Sequence, residues 1–124
     1  MIIVDSCGWL EWFSNGALAD QYHPHLQDKE KLLVPVIVLY EVYKFLKREI
    51  GEEKALAATA YMKNCQIVAM NETLALAAAD TSLRENLAMA DAIILATAHY
   101  HDCQVVTSDA DLKGKPGVQF IPKK

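Results

Sequence analysis

Cysteine is scarce in this chain, and what is present does not pair. Cys7, Cys65 and Cys103 are odd in number and none stands in a C-x-x-C spacing. That excludes a disulfide framework and a zinc knuckle, and it predicts reduced thiols in a cytoplasmic protein. Long hydrophobic runs are missing too. The longest nearly apolar stretch, Val34 to Tyr43, is interrupted by Pro35 and Glu41 and is too short to cross a bilayer, so no membrane association is expected. The opening Met1-Ile2-Ile3-Val4-Asp5 has no basic region, long apolar segment or small-residue cleavage site, so no signal peptide is expected. An excess of positive charge is also absent: 12 Lys and Arg stand against 16 Asp and Glu, for a net charge of −4. A purely electrostatic nucleic-acid binder is normally basic. Any nucleic acid bound here needs the protein's own charge offset locally, by divalent cations or by a patch such as Lys44, Lys47 and Arg48. That patch reads equally well as a solvated helix end. Internal repeats, low-complexity tracts and linkers are not found, and Lys123-Lys124 reads as an ordinary solvated tail.

What remains is a chain of 124 residues, 52% hydrophobic, which suits one domain over residues 1–124. A chain of this length buries roughly two-thirds of its unfolded surface and needs no staple to fold. Short apolar runs at 2–4, 32–34, 66–68, 104–106 and 118–121 read as strands. Between them lie helical patterns. Ser6 is a candidate cap for a helix through Trp9, Leu10, Trp12 and Phe13, ending near Asn15-Gly16. Residues 17–28 are helical in part, with Pro24 expected to break or restart the helix. Pro35 can open a helix that Gly51 closes, followed by helices over 52–63, 72–84 with Asn71 as cap, and 89–100. Alternating strands and helices predict an α/β fold with a five-stranded parallel sheet between helical layers.

In such a sheet the carboxyl ends of strands and the amino ends of the following helices share one edge, where ligands bind. Four acids fall there. Asp5 closes the first strand and Asp109 follows the fourth. Asp91 lies in the first turn of its helix, and Glu41 sits about one turn further into its own. Each is embedded in apolar sequence or just beyond it, and burying a lone charge is expensive. Two carboxylates about 4 Å apart repel by roughly 4 kcal/mol at an effective dielectric near 20. No lysine or arginine adjoins any of the four. A hard divalent cation, Mg²⁺ or Mn²⁺, is the natural counter-charge. Taken singly, each acid also fits a plainer role: a helix cap for Asp5, a dipole partner for Asp91, a polar-face residue for Glu41, a turn residue for Asp109.

Four segments carry a resemblance to a known family. They are Ile2 to Phe13, Pro35 to Val42, Ala90 to Ala98, and Val105 to Leu112. In this order and spacing the chain resembles the PIN-domain family, and within it the VapC-type ribonuclease toxins of toxin–antitoxin pairs. The resemblance implies a PIN-like three-layer fold with a five-stranded parallel sheet. It implies a metal-dependent endoribonuclease that cleaves single-stranded or loop RNA through a metal-activated water. By position, Asp5, Glu41 and Asp91 match the family's metal-site acids and Asp109 its fourth, more variable acid. Thr107 matches a supporting hydroxyl, Ser6 is a second such candidate, and Asp111 is either a further match or a turn residue. The resemblance also implies a homodimer and a small antitoxin whose extended tail covers the acidic pocket.

The helix over 36–49 is apolar around most of its circumference, which fits core packing or a face shared with a second copy or an inhibitory partner. His23/His25 and His99/His101 lie two apart, where helix residues do not share a face, so they are not expected to ligate metal. Trp9 and Trp12 read as one packed face and Arg84 as solvated. A haloacid-dehalogenase-like phosphatase needs a second aspartate at the position of Cys7. A receiver-type phosphoacceptor needs an aspartate closing the third strand, where Val68-Ala69-Met70 stands. The remaining alternative is a catalytically silent PIN-like module that binds a protein or RNA.

Overall fold

A computed structural model of the chain describes residues 1–123. Along the chain, β1 (Ile2–Val4) leads into α1 (Ser6–Phe13) and α2 (Ala19–Leu26). Then come β2 (Leu33–Pro35), α3 (Val36–Glu49), α4 (Glu52–Lys63) and β3 (Gln66–Val68). The chain continues through α5 (Glu72–Glu85), α6 (Met89–Tyr100), β4 (Gln104–Thr107) and β5 (Val118–Phe120), with short 3₁₀ turns at Lys29–Lys31 and Ala110–Leu112. The α/β alternation and the five parallel strands are as expected, but a single five-stranded sheet does not form. Strands β1, β4 and β5 make one sheet and β2 and β3 another. Among the described residues one bridge, Ile2 to Leu32, joins them.

The seam has a chemical cause. Gln66 donates its N–H to the Leu32 carbonyl, so Leu32 faces β3 and, by alternation, Leu33 and Pro35 face β1. Continuing the Ile2–Leu32 register, the next rung would set Val4 beside Val34 and require a donor at position 35. Proline has no N–H, so the ladder stops.

Ile3, Val4, Val105 and Val106 are almost fully buried at the centre, with Trp9, Tyr22, Val38, Val42, Leu95 and Leu112 packed around them. Three local expectations need correction. The first helix is capped by Asp5 rather than Ser6: Asp5 is extended (φ −63°, ψ 159°) and its carboxylate accepts from the Ser6 N–H. Pro24 does not interrupt α2. The carbonyl it leaves without a donor belongs to Asp20, an exposed residue whose backbone water can reach. The second strand also begins one residue late, at Leu33, because Leu32 still donates to Lys29 to close the preceding turn. Helix α5 forms as expected, with the Asn71 side chain accepting from Leu74 N–H at 2.9 Å. It ends at Asn86 in the left-handed region (φ 56°).

Candidate metal centre

Parallel pairing puts the ends of β1 and β4 side by side. The register Val4–Val106 continues into a 3.0 Å bond from Asp5 N–H to the Val106 carbonyl. Asp5 therefore emerges next to Thr107 and Asp109. Helix α6 runs back into β4, so its first turn, with Asp91, lies over the same edge. Helix α3 starts directly from the end of β2 and brings in Glu41 after about a turn and a half.

The side chains converge accordingly. Carboxylate oxygens of Asp5, Asp91 and Asp109 all lie within 4.8 Å of one another. Glu41 is outside that tight trio but lines the same cavity of about 430 Å³. Asp5 is almost fully buried and held by both oxygens. Oδ1 accepts from Ser6 N–H at 2.7 Å, and Oδ2 accepts from the Thr107 hydroxyl at 2.8 Å. Thr107 Oγ1 in turn accepts the Asp109 N–H at 2.9 Å, so one hydroxyl ties the two aspartates together. The Ser6 hydroxyl is 3.5 Å from Asp5 Oδ1, so its help comes chiefly through the backbone. Asp111 is exposed and assists in the same manner, its N–H bonding Asp109 Oδ1 at 2.9 Å.

Electrostatics reflect this crowding. Desolvation, with Asp109 adding repulsion, raises the Asp5 pKa against the lowering effect of its hydrogen bonds. Burial, then Asp5 and Asp109, raises Glu41 as well. Asp91 is pushed up to about 7, by burial first and then by the charges of Asp109 and Asp5. Among the described residues no Lys, Arg or His nitrogen lies within 4.0 Å of these four carboxylates. One buried Glu41 oxygen has no hydrogen-bond partner. Clustered hard oxygen donors without a cationic partner fit a divalent metal ion such as Mg²⁺.

Several neighbours carried no signal in the sequence. Cys7 Sγ sits 3.9 Å from Asp5 Oδ2 and 3.6 Å from Thr107 Oγ1 and lines the same cavity as the acids. Tyr22, fully buried, bonds Ser108 at 2.6 Å and props the loop carrying Asp109. Lys123, expected to be a plain solvated tail residue, lines the acidic cavity; Lys124 lies outside the described residues. The histidines stay apart. His23 accepts from Trp12 Nε1 at 3.2 Å and His99 Nε2 lies 3.0 Å from the Pro116 carbonyl. Trp9 is wholly buried, and Arg84 is exposed beside Glu85.

An α/β domain with parallel strands and a tight cluster of acids in a cavity at their carboxyl edge is the class these features define. The family model for the PIN domain matches residues 2–117, and the chain belongs to that family. Solved structures with the same fold include a toxin–antitoxin complex from Klebsiella pneumoniae, 24% identical, covering 96% of each chain at a TM-score of 0.81. A sarcin–ricin-loop-cleaving toxin of Mycobacterium tuberculosis, VapC20, is 20% identical and covers 98% of this chain and 100% of its own, with a TM-score of 0.79. A VapBC complex from Rickettsia felis bound to promoter DNA is 14% identical over 98% of each chain, at 0.77. No curated protein matches the sequence.

Proposed function

We propose that this chain, acting as a single domain in the cytoplasm, is a Mg²⁺- or Mn²⁺-dependent endoribonuclease and the toxin of a toxin–antitoxin pair. One observation carries the reading: three carboxylates within 4.8 Å of one another, without a cationic partner among the described residues. Asp5, Asp91 and Asp109 would hold the ion, with Glu41 completing the ring of acids. A bound ion of this type supplies Lewis-acid polarisation of a phosphoryl oxygen and activation of water. The protein supplies position. Thr107 and the Ser6 N–H fix Asp5, and the Thr107 hydroxyl and Asp111 N–H fix Asp109, so those two acids need little rearrangement before reaction. Hydrolysis by water, with departure of the 3′-oxygen, leaves a 5′-phosphate and a 3′-hydroxyl.

The partner assignment rests on the fold neighbours, two of which are toxin–antitoxin or VapBC complexes. An antitoxin segment seated over the acidic cavity would block substrate and metal together. A homodimer is proposed from the family resemblance and from the exposed Val36, Tyr40 and Phe45 of α3, and size-exclusion chromatography checks it by showing concentration-dependent doubling of mass.

The central test is RNA cleavage by the purified protein with Mg²⁺, with Mn²⁺ and with EDTA, alongside Asp5→Asn. Cleavage is expected with either metal and is expected to fall by a factor of about 100 or more in EDTA or in the variant. Activity that survives both refutes the reading. Failure of the protein to bind Mn²⁺ by calorimetry, with the fold intact, would leave a silent binding module instead.

A further inference from the structure

Helix α3 carries an exposed aromatic and basic track that leaves the acidic cavity at Glu41. Two cavities share Ser6 and Glu41. One is the acidic cavity, and the other, of about 310 Å³, extends along α3 past Tyr40, Lys44 and Arg48. A third continues from Tyr40 and Lys44 to Tyr43 and Lys47. Glu41, Lys44 and Arg48 follow the i, i+3, i+7 spacing of one helix face, so the track runs about 10 Å along the axis. That is the length of roughly three stacked nucleotides at ~3.4 Å each.

We infer that this track is a binding face for single-stranded RNA that leads the strand into the acidic cavity; the inference deepens the nuclease reading and rests on it for the direction of travel. The acidic cavity repels phosphates, so a strand reaching it needs cations on its approach. Lys44, Lys47 and Arg48 are the cations of this helix face. Among the described residues Lys44 has no acidic partner; its Nζ bonds the Tyr40 hydroxyl at 3.3 Å. Lys47 and Arg48 pair only with Glu52 and Glu49, in exposed contacts that a phosphate can displace. Aromatic faces alternate with these cations. Tyr40 is 60% exposed, and Lys44 lies 5.5 Å from its ring centroid. Lys47 sits the same distance over Tyr43, and the Arg48 guanidinium 5.6 Å over Phe45. A basic groove lined by aromatic rings is what unpaired strands use, because every base offers a face to stack on and none of it requires a base pair. Here a base stacking on Tyr40 would displace the Lys44 ammonium from its ring and free that cation for a phosphate. A duplex hides those faces.

The test is fluorescence anisotropy of a short labelled oligouridylate with the intact protein in EDTA, where no cleavage occurs. The unmodified protein is expected to bind the single strand and to prefer it over a duplex of equal length. Tyr40→Ala should weaken binding by about fivefold or more, while Tyr40→Phe, which keeps the ring, should stay near the parent. Lys44→Ala should lower the salt dependence by about 0.7 in the logarithmic slope, one phosphate contact. Both positions are solvent-facing, so folding is not at stake. Unchanged binding in Tyr40→Ala and Lys44→Ala would overturn the proposal, as would equal affinity for duplex, or equal affinity for a polyglutamate peptide, which offers charge without bases. A protein that binds through this face but never cleaves would instead refute the nuclease reading alone.

Discussion

Replacing Asp91 by asparagine should make the metal-free protein more stable, not less, and increasingly so as pH rises above about 4. Its pKa is pushed up to about 7, by burial first and then by Asp109 and Asp5. An acid whose folded pKa lies above its unfolded value binds more protons when folded. Stability therefore falls as pH rises from about 4 to about 7, and the loss is complete above the folded pKa. At 4.8 Å, two carboxylates repel by about 3.5 kcal/mol at an effective dielectric of 20. The cavity is open to water, so screening cuts this to about 1–2 kcal/mol. Against it stands the loss of an acid in the first turn of α6, worth about 0.3–1 kcal/mol. Repulsion wins by about 1 kcal/mol, or about 3–5 °C in Tm for a chain of this size. Thermal melts followed by circular dichroism in EDTA should show little difference between variant and parent near pH 4, at the lower edge of the titration window. The variant should gain through pH 7 and be more stable near pH 8. Adding Mg²⁺ at about 100 times its Kd should reverse the order, raising the parent by about 2.7 kcal/mol and the variant far less. A variant less stable than its parent near pH 8 in EDTA, or a difference that ignores pH, would refute the argument that these acids repel one another.

Thr107→Val removes the bond to Asp5 Oδ2 and the acceptor for the Asp109 N–H, and leaves buried partners unpaired. It should cost about 1–3 kcal/mol in denaturant melts and lower kcat, while Thr107→Ser keeps both. Gly8→Ala should destabilise by about 1–3 kcal/mol, because a Cβ there would meet Val4 Cγ1 and Tyr22 Cδ1 at 2.6 Å. An unchanged Tm would show that Tyr22 can yield without disturbing its bond to Ser108.

Much of the architecture was legible because the local signals agree. Gly51 and Lys63 bracket α4, which spans Glu52–Lys63 as expected, and Asn71 caps α5. Helix α6 lies at Met89–Tyr100 as its pattern predicts, and β3 occupies Gln66–Val68. What escaped the pattern depends on partners far along the chain. Pro35 reads in sequence as a helix opener, and it is one. That it also ends the β1–β2 ladder follows only once the Ile2–Leu32 register is known. Pro24 looks like a breaker until the carbonyl it orphans proves to be solvated. The four acids could be placed on one edge from strand order, but spacing does not rank them. The resemblance sets Asp109 apart as the fourth, whereas in the structure it is Glu41 that lies outside the tight trio. The trio of Asp5, Asp91 and Asp109 with Glu41 standing off depends on side-chain directions that spacing does not encode. Tyr22 and Lys123, distant in sequence from every acid, gave no sign at all.

The two readings of Asp5 offered by the sequence, helix cap or cation ligand, are not alternatives. Its extended backbone and the Oδ1 contact to Ser6 N–H start α1, and Oδ2 is held by Thr107. Each carboxylate oxygen accepts through two lone pairs, so one short bond apiece, beside the long contacts from the Ser6 hydroxyl and the Cys7 thiol, leaves capacity for a cation. The cap thereby fixes the carboxylate's orientation, and the helix start supplies partial positive charge that tempers the burial of a negative group. Asp109 is built the same way, accepting from Asp111 N–H as the cap of its 3₁₀ turn. Two of the four acids are thus anchored by backbone donors, whereas the Glu41 Oε1 is buried without a partner. Any adjustment needed to fit an ion would fall on Glu41 and Asp91, and the anchored pair would set where it sits.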